Sequence, residues 1–418
     1  MRLNKLKFVV LVMISLLFSF SCNNTKEELP EIPAVSLDHM MHLYDVVDLP
    51  GNLCGGIVHI YSEYPDYKFE IEPNEGFTCV DDVARAMMID AIRLSDDEEL
   101  QGQYNFMAEF LLYMQAENGW FHNFIWHDLS INTTYRTSLA EPNWWSWRAF
   151  WALANYKSND VRLTKKAKQA CERLAENAFQ LLLPQPLDTE FIEGIEVPTW
   201  LPLHTAGDQA AILVLGLEAY YQNVNKDERA LQLIEKLADG LLLTQKGDGT
   251  TFPFGAYLSW QNMWHAYGNS QAYAMLRAGQ LLDRKDYIES ALLEIEHFYA
   301  YLIKENFPAY FSLNKTDDGF EIIEKQMFAQ IAYGFRPMIW ACIEAYKING
   351  ENKYLQRAEE ITAWFSGINI ANQQTYNPET GRCFDGIVSE TKVNMNSGAE
   401  STIEALLALQ AFDQIKQK

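Results

Sequence analysis

Apolar positions recur along this chain with a helical period, and the helical stretches come in pairs. The pairs are 79–94 with 98–116, 144–156 with 161–183, 207–222 with 226–245, 270–282 with 286–304, and 328–348 with 352–365. A last stretch, 399–415, has no partner after it, and 36–47 is a helical candidate at the other end. The first member of each pair is apolar nearly all round, as in Ala210–Leu217 and Met338–Ile343; the second is amphipathic, as in Leu231–Leu243. A helix apolar on every side is buried and an amphipathic one covers it, so each pair supplies an inner and an outer helix. The inner helices begin near Asp82, Trp145, Asp208, Asn269, Ile331 and Glu400, a repeat of about sixty residues. Six inner and six outer helices predict an all-α chain closed into an (α/α)6 toroid, with 36–47 as the twelfth helix. The connections are long and strand-like, as in Gly119–Asp128 and Gly249–Ser259, and 56–72 reads as a β-hairpin turning at Pro65-Asp66. Long connections of this kind carry function and collect on one face of such a ring.

Composition narrows the partners. The 418 residues carry a formal charge of −23 with 48% hydrophobic positions, which excludes disorder and disfavours nucleic acid. Residues 1–21 are expected to be a signal peptide: Arg2, Lys5 and Lys7 precede the apolar run Phe8–Phe20 and the small Ser21. With Cys22 next, the segment resembles a bacterial lipoprotein signal, with Ser19 where that pattern usually has Leu. Lys26-Glu27-Glu28 is similar to the export tag of Bacteroidetes surface lipoproteins. That resemblance implies lipidation of Cys22, a tether over 22–35, and an outer-membrane anchor facing the periplasm or the exterior. A single catalytic toroid over 36–418 follows. No other stretch is long and apolar enough to span a bilayer. Cys54 and Cys79 are open to pairing, and Cys171 and Cys342 sit in apolar helical patterns.

The inner-helix starts hold the candidate chemistry. They are Glu75-Gly76-Phe77-Thr78-Cys79-Val80-Asp81-Asp82, Leu139-Ala140-Glu141-Pro142-Asn143-Trp144-Trp145, His204-Thr205-Ala206-Gly207-Asp208, His265-Ala266-Tyr267-Gly268-Asn269, Glu324-Lys325-Gln326 and Asn396-Ser397-Gly398-Ala399-Glu400-Ser401. First-turn acids answer the helix dipole, which accounts for any one of them. Several converging on one mouth repel each other, and carboxylates with separated pKa values are what glycosidic acid/base chemistry requires. The strings Val80-Asp81-Asp82-Val83-Ala84-Arg85-Ala86, Trp147-Arg148-Ala149-Phe150-Trp151-Ala152-Leu153 and Gly398-Ala399-Glu400-Ser401-Thr402 resemble inner-helix motifs of the six-hairpin glycosidases. The resemblance implies a glycoside hydrolase acting on a poly- or oligosaccharide. Asp82 and Glu141 form the principal candidate pair, with Asp81, Asp208 and Glu400 as alternatives. Asp81 and Asp82 point about 100° apart on a helix, so one of the two faces the lumen. Trp120, Trp126, Trp144, Trp145 and Trp264 are candidate platforms for sugar faces, with His122, His204, His265 and Asn269 as polar companions. Phosphate-binding, zinc-protease and α/β-hydrolase motifs are absent from the sequence, and no cofactor or metal is expected. Two other readings stay open: a lyase or sugar epimerase using His204, His265, Tyr267, Tyr333 and Arg336, and a non-catalytic glycan-binding lipoprotein.

Overall fold

A computed structural model describes residues 29–416, so the signal stretch and Cys22 lie outside the described residues. The helices are α1 (Asp38–Leu43), α2 (Val80–Ala86), α3 (Asp90–Arg93), α4 (Glu98–Tyr113), α5 (Trp144–Asn155), α6 (Val161–Leu182) and α7 (Gly207–Asn223). They continue with α8 (Glu228–Thr244), α9 (Gln271–Leu282), α10 (Lys285–Leu293), α11 (Tyr299–Lys304), α12 (Arg336–Asn349), α13 (Asn352–Thr362) and α14 (Ala399–Lys416). Helices α2, α5, α7, α9, α12 and α14 pack side by side in that order, and α14 returns to α2. That contact closes the ring, an (α/α)6 toroid.

The inner and outer roles follow from side-chain placement. Every residue of α7 from Gly207 to Tyr220 is buried, as an apolar helix between neighbours on all sides must be. Helix α6 buries Leu163, Ala167, Ala170, Cys171, Leu174 and Ala178 and leaves its lysines outside. Outer helices α4, α6 and α8 each start with an aspartate cap, Asp97, Asp160 and Asp227, whose side chain accepts from a first-turn N–H. Such a cap stabilises a helix by about 1 kcal/mol. The loop repeat is equally physical. Gln115 Nε2 donates to Gly119 O and to Ala170 O of the next outer helix. Gln245 Nε2 donates in the same way to Gly255 O and Ser290 O.

Four expectations change. The stretch 36–47 is helical only over Asp38–Leu43; the strand Tyr44–Leu49 follows and pairs antiparallel with Leu53–Val58. Asp45-Val46-Val47 leads into a turn at Pro50-Gly51-Asn52, where Gly51 and Asn52 both have positive φ, and the hairpin wins over the helix. The hairpin turning at Pro65-Asp66 is Tyr61–Glu63 with Lys68–Glu70, shorter than 56–72. Glu324-Lys325-Gln326 is no helix start but the end of the strand Gly319–Gln326, paired with Tyr310–Thr316 across Asp317-Asp318. Inner helix α12 therefore begins at Arg336. Cys54 and Cys79 are both free thiols, one exposed and one buried. No helix among the described residues is long and apolar enough to cross a membrane.

Candidate active site

Helix α2 is capped by Cys79, whose sulfur accepts from Asp82 N at 3.4 Å and donates to Asp82 Oδ2 at 3.2 Å. This turns Asp82 inward, 2% exposed, where Oδ1 lies 2.5 Å from Arg85 Nη2. Arg85 Nη1 reaches over to the neighbouring α14, to Glu400 Oε2 at 2.9 Å and Glu404 Oε1 at 3.2 Å, one helical turn apart. Glu404 is closed off on its other side by Arg336 Nε at 2.6 Å. Asp81 points elsewhere: its Oδ1 is 2.7 Å from Arg148 Nη1 on α5, and Arg148 Nη2 donates to Tyr333 OH at 2.6 Å. The Arg148 guanidinium also lies over the rings of Trp144 and Tyr333, at 4.8 and 5.1 Å from their centroids. Gly268 (φ +69°) passes so close here that a Cβ would stand 3.0 Å from Trp144 and 3.1 Å from Tyr333 OH.

Of these side chains, Asp81, Asp82, Arg85 and Glu400 open onto a cavity of about 300 Å³, whose wall also carries Glu75 and Asp385 and has Arg85 as its one guanidinium. The Glu400 side chain is 43% exposed although it lies inside the ring, so the water it meets is the water of this cavity. Although cavity water reaches it, enclosure within the ring strips Glu400 of bulk solvent and raises its carboxyl above the ordinary pKa, with Arg85 opposing and the charge of Asp82 adding. Burial likewise raises Asp82, against the opposing pull of Arg85. Burial raises Asp385 too, reinforced by Glu400 and Glu63. Asp385 Oδ1 accepts from Gly398 N at 2.8 Å and Ser401 Oγ at 2.6 Å, which fixes it beside the start of α14. Glu75 is held by Tyr61 OH at 2.6 Å. Raised pKa values let Asp82, Asp385 and Glu400 keep a proton to higher pH than a free carboxyl does, which suits a proton donor.

Three sequence candidates, Asp81, Asp82 and Glu400, thus share one cavity. Glu141 does not line it: its Oε1 accepts from Asn143 Nδ2 at 3.0 Å in the loop before α5. Asp208 is 5% exposed, with Oδ2 3.0 Å from His265 Nε2; His265 Nδ1 meets Tyr267 O at 2.8 Å and its ring stacks on Tyr267 at 3.8 Å. Trp144 is half-buried in the lumen, Trp120 packs edge-on against Trp147, and Trp126 is half-buried in its loop. His122 Nδ1 is 2.8 Å from Ser138 O. Three placements correct the expectation of open sugar contacts. Trp145 is 3% exposed and its Nε1 donates to Phe121 O and Leu139 O, sealing that loop. Trp264 is 1% exposed, stacked on Phe311 in the core. His204 stands outward, 58% exposed, beside Glu190 on the hairpin Thr189–Ile192/Ile195–Pro198. Asn269 is buried with neither amide atom partnered. Sequence reasoning did not single out Glu75, Asp385 or Glu404. Asp385 has a faint signal, an acid before Gly386 (φ +147°), but nothing in the pattern brings it to α14.

No family model matches the chain, and no curated protein matches it. Solved structures do. Cellobiose 2-epimerase from Spirochaeta thermophila is 14% identical over 91% of this chain and 94% of its own, with a TM-score of 0.58. Cellobiose 2-epimerase from Bacillus thermoamylovorans is 11% identical over 91% and 96%, with a TM-score of 0.60. A glycoside hydrolase family 76 mannosidase from Bacteroides thetaiotaomicron is 12% identical over 91% and 98%, with a TM-score of 0.54. The likeness shows the fold, an (α/α)6 toroid.

Proposed function

We propose that this protein is a carbohydrate-active enzyme that hydrolyses a glycosidic bond in the acidic cavity. The observation that carries the reading is the surplus of carboxyl groups around Arg85, with Glu400 open to the cavity and its pKa raised. Glu400 gives its proton to the departing glycosidic oxygen as the C–O bond breaks. Asp81, paired with Arg148, takes a proton from the water that adds to the anomeric carbon. Asp82 and Arg85 position Glu400. The fold neighbours include proteins named as a mannosidase and as sugar epimerases, which supports a sugar substrate without choosing between the two chemistries. We further propose that lipidation of Cys22 tethers the toroid to the outer membrane.

The test is product mass on a panel of neutral and acidic glycans. One water gained per cleavage supports hydrolysis, and Glu400→Gln then abolishes turnover while glycan binding persists. A product of unchanged mass supports the second reading, epimerisation, which the bonded pair His265–Asp208 beside Tyr267 favours. In that case Glu400→Gln leaves the rate unaltered and His265→Gln removes it.

A further inference from the structure

Beside the acidic cavity lies a second one of about 430 Å³, between the start of α12 and the three-stranded sheet Met263–His265, Tyr310–Thr316 and Gly319–Gln326. Tyr267, Phe307, Tyr310, Phe328, Phe335 and Met338 line it. Ile331 lines both cavities, so they are one side chain apart. Tyr267, 48% exposed, carries the second cavity out to solvent. An apolar pocket of this size that adjoins a reactive one is a place for part of a ligand.

The polar groups in its wall decide which part. His265 has both ring nitrogens engaged, by Asp208 and Tyr267 O. Gln330 donates to Asn306 O and accepts from Trp364 Nε1. Tyr310 OH donates to Met263 Sδ, and Gln326 donates to Glu324. Tyr267 OH and the second Glu324 oxygen stand at the solvent-exposed edge; farther in, beside buried His265 and Gln330, a pyranose would place hydroxyls against groups already bonded, whereas an aryl or alkyl group has no hydroxyl to satisfy. We propose that the natural substrate is a glycoside bearing an apolar aryl or alkyl group, and that this second cavity receives that group. The proposal rests on the reading of the acidic cavity as the place of cleavage.

The experiment separates the two. The mature protein, its Ala309→Trp variant and its Glu400→Gln variant are titrated with naphthol. They are also titrated with naphthyl and methyl glycosides of glucose, galactose and mannose. Ala309 lines the cavity at a half-buried position, so a tryptophan there fills the space from its edge. Circular dichroism and thermal unfolding verify the fold, and Ala309→Leu serves as the smaller filling. The expected result is saturable naphthol binding to the wild type and to Glu400→Gln. For at least one sugar the naphthyl glycoside binds about tenfold tighter than the methyl glycoside. Ala309→Leu weakens that preference and Ala309→Trp reduces it to within about twofold. Absence of naphthol binding, binding that survives Ala309→Trp in a folded protein, or equal affinity for naphthyl and methyl glycosides overturns the proposal. Naphthol binding with no glycoside cleaved leaves the cavity assignment standing and removes hydrolysis.

Discussion

At the mouth of the toroid five carboxyl groups share their cavity wall with the single guanidinium of Arg85; at the opposite end of the lumen three acids face three bases. The far end is a space of about 240 Å³ lined by Asp90, Glu218 and Glu344 together with Arg93, Arg277 and Lys347. Arg277 bonds Glu218 through Nε and Nη2 and Glu344 through Nη1 at 3.1 Å, and Arg93 meets Asp90 at 2.6 Å. Charge is balanced there and the groups satisfy one another, which is how a structural plug is built. At the mouth the balance is broken and the pKa values of Asp82, Asp385 and Glu400 rise. Acidity alone marks neither end. The imbalance between acids and their partners separates a reactive cavity from a structural one.

The strongest way to break this comparison is Glu400→Gln. Turnover is expected to fall about a thousandfold, read as product formed per folded molecule, because the amide has no proton to transfer. A smaller loss would mean that another acid donates. Arg85→Met removes the guanidinium that lies in the cavity wall itself. With Arg85 4% exposed and bonded to buried Asp82 and Glu404, stability is expected to drop by about 3–5 kcal/mol in denaturant titration.

A third site sharpens the contrast from the opposite direction. Glu294, 0% exposed in the π-turn Glu294–Phe298 between α10 and α11, accepts from Tyr257 N and Tyr299 OH and has no cation beside it. Burial raises its pKa from 4.5 to about 8. The folded state then holds a proton that the unfolded chain releases near pH 4.5, so stability is full below that pH. It is lost as pH rises, and the loss is complete above about 8. Over this window Glu294→Gln is expected to flatten the pH dependence of the unfolding free energy, which falls by roughly a few kcal/mol in the parent protein. At the far end Arg277→Met is expected to cost less, about 2 kcal/mol, because its side chain is 30% exposed, and to leave turnover per folded molecule unchanged. The smallest effect is a pH shift. Asp82 helps raise Glu400, so Asp82→Asn lowers the Glu400 pKa and moves the alkaline limb of the rate profile to lower pH.

How much of the site was legible in the sequence depended on locality. Asp81, Asp82 and Glu400 stand at inner-helix starts, and reading those starts in order finds them. Glu141 and Asp208 stand at equivalent positions but bond within their own surroundings, to Asn143 and His265. Asp385 and Glu75 come from connecting segments, where no period marks which residues turn inward. Trp264 reads as a loop tryptophan, yet its strand is the edge of a sheet whose buried face packs on Phe298.

The sequence by itself determined the sixfold helical repeat, the division into inner and outer helices and the closing of the ring. Each of these rests on hydrophobic period and chain length, which are properties of neighbours along the chain. Only the tertiary structure decided which acids meet. Arg85 and Glu400 are 315 positions apart, and the 2.9 Å contact between them exists only because α14 returns to α2. The surplus of charge that defines the cavity is a sum over groups brought together by that closure. Pairing with Arg85, Arg148 and Arg336 sets which of those groups remain free, and it depends on distances that no local pattern encodes.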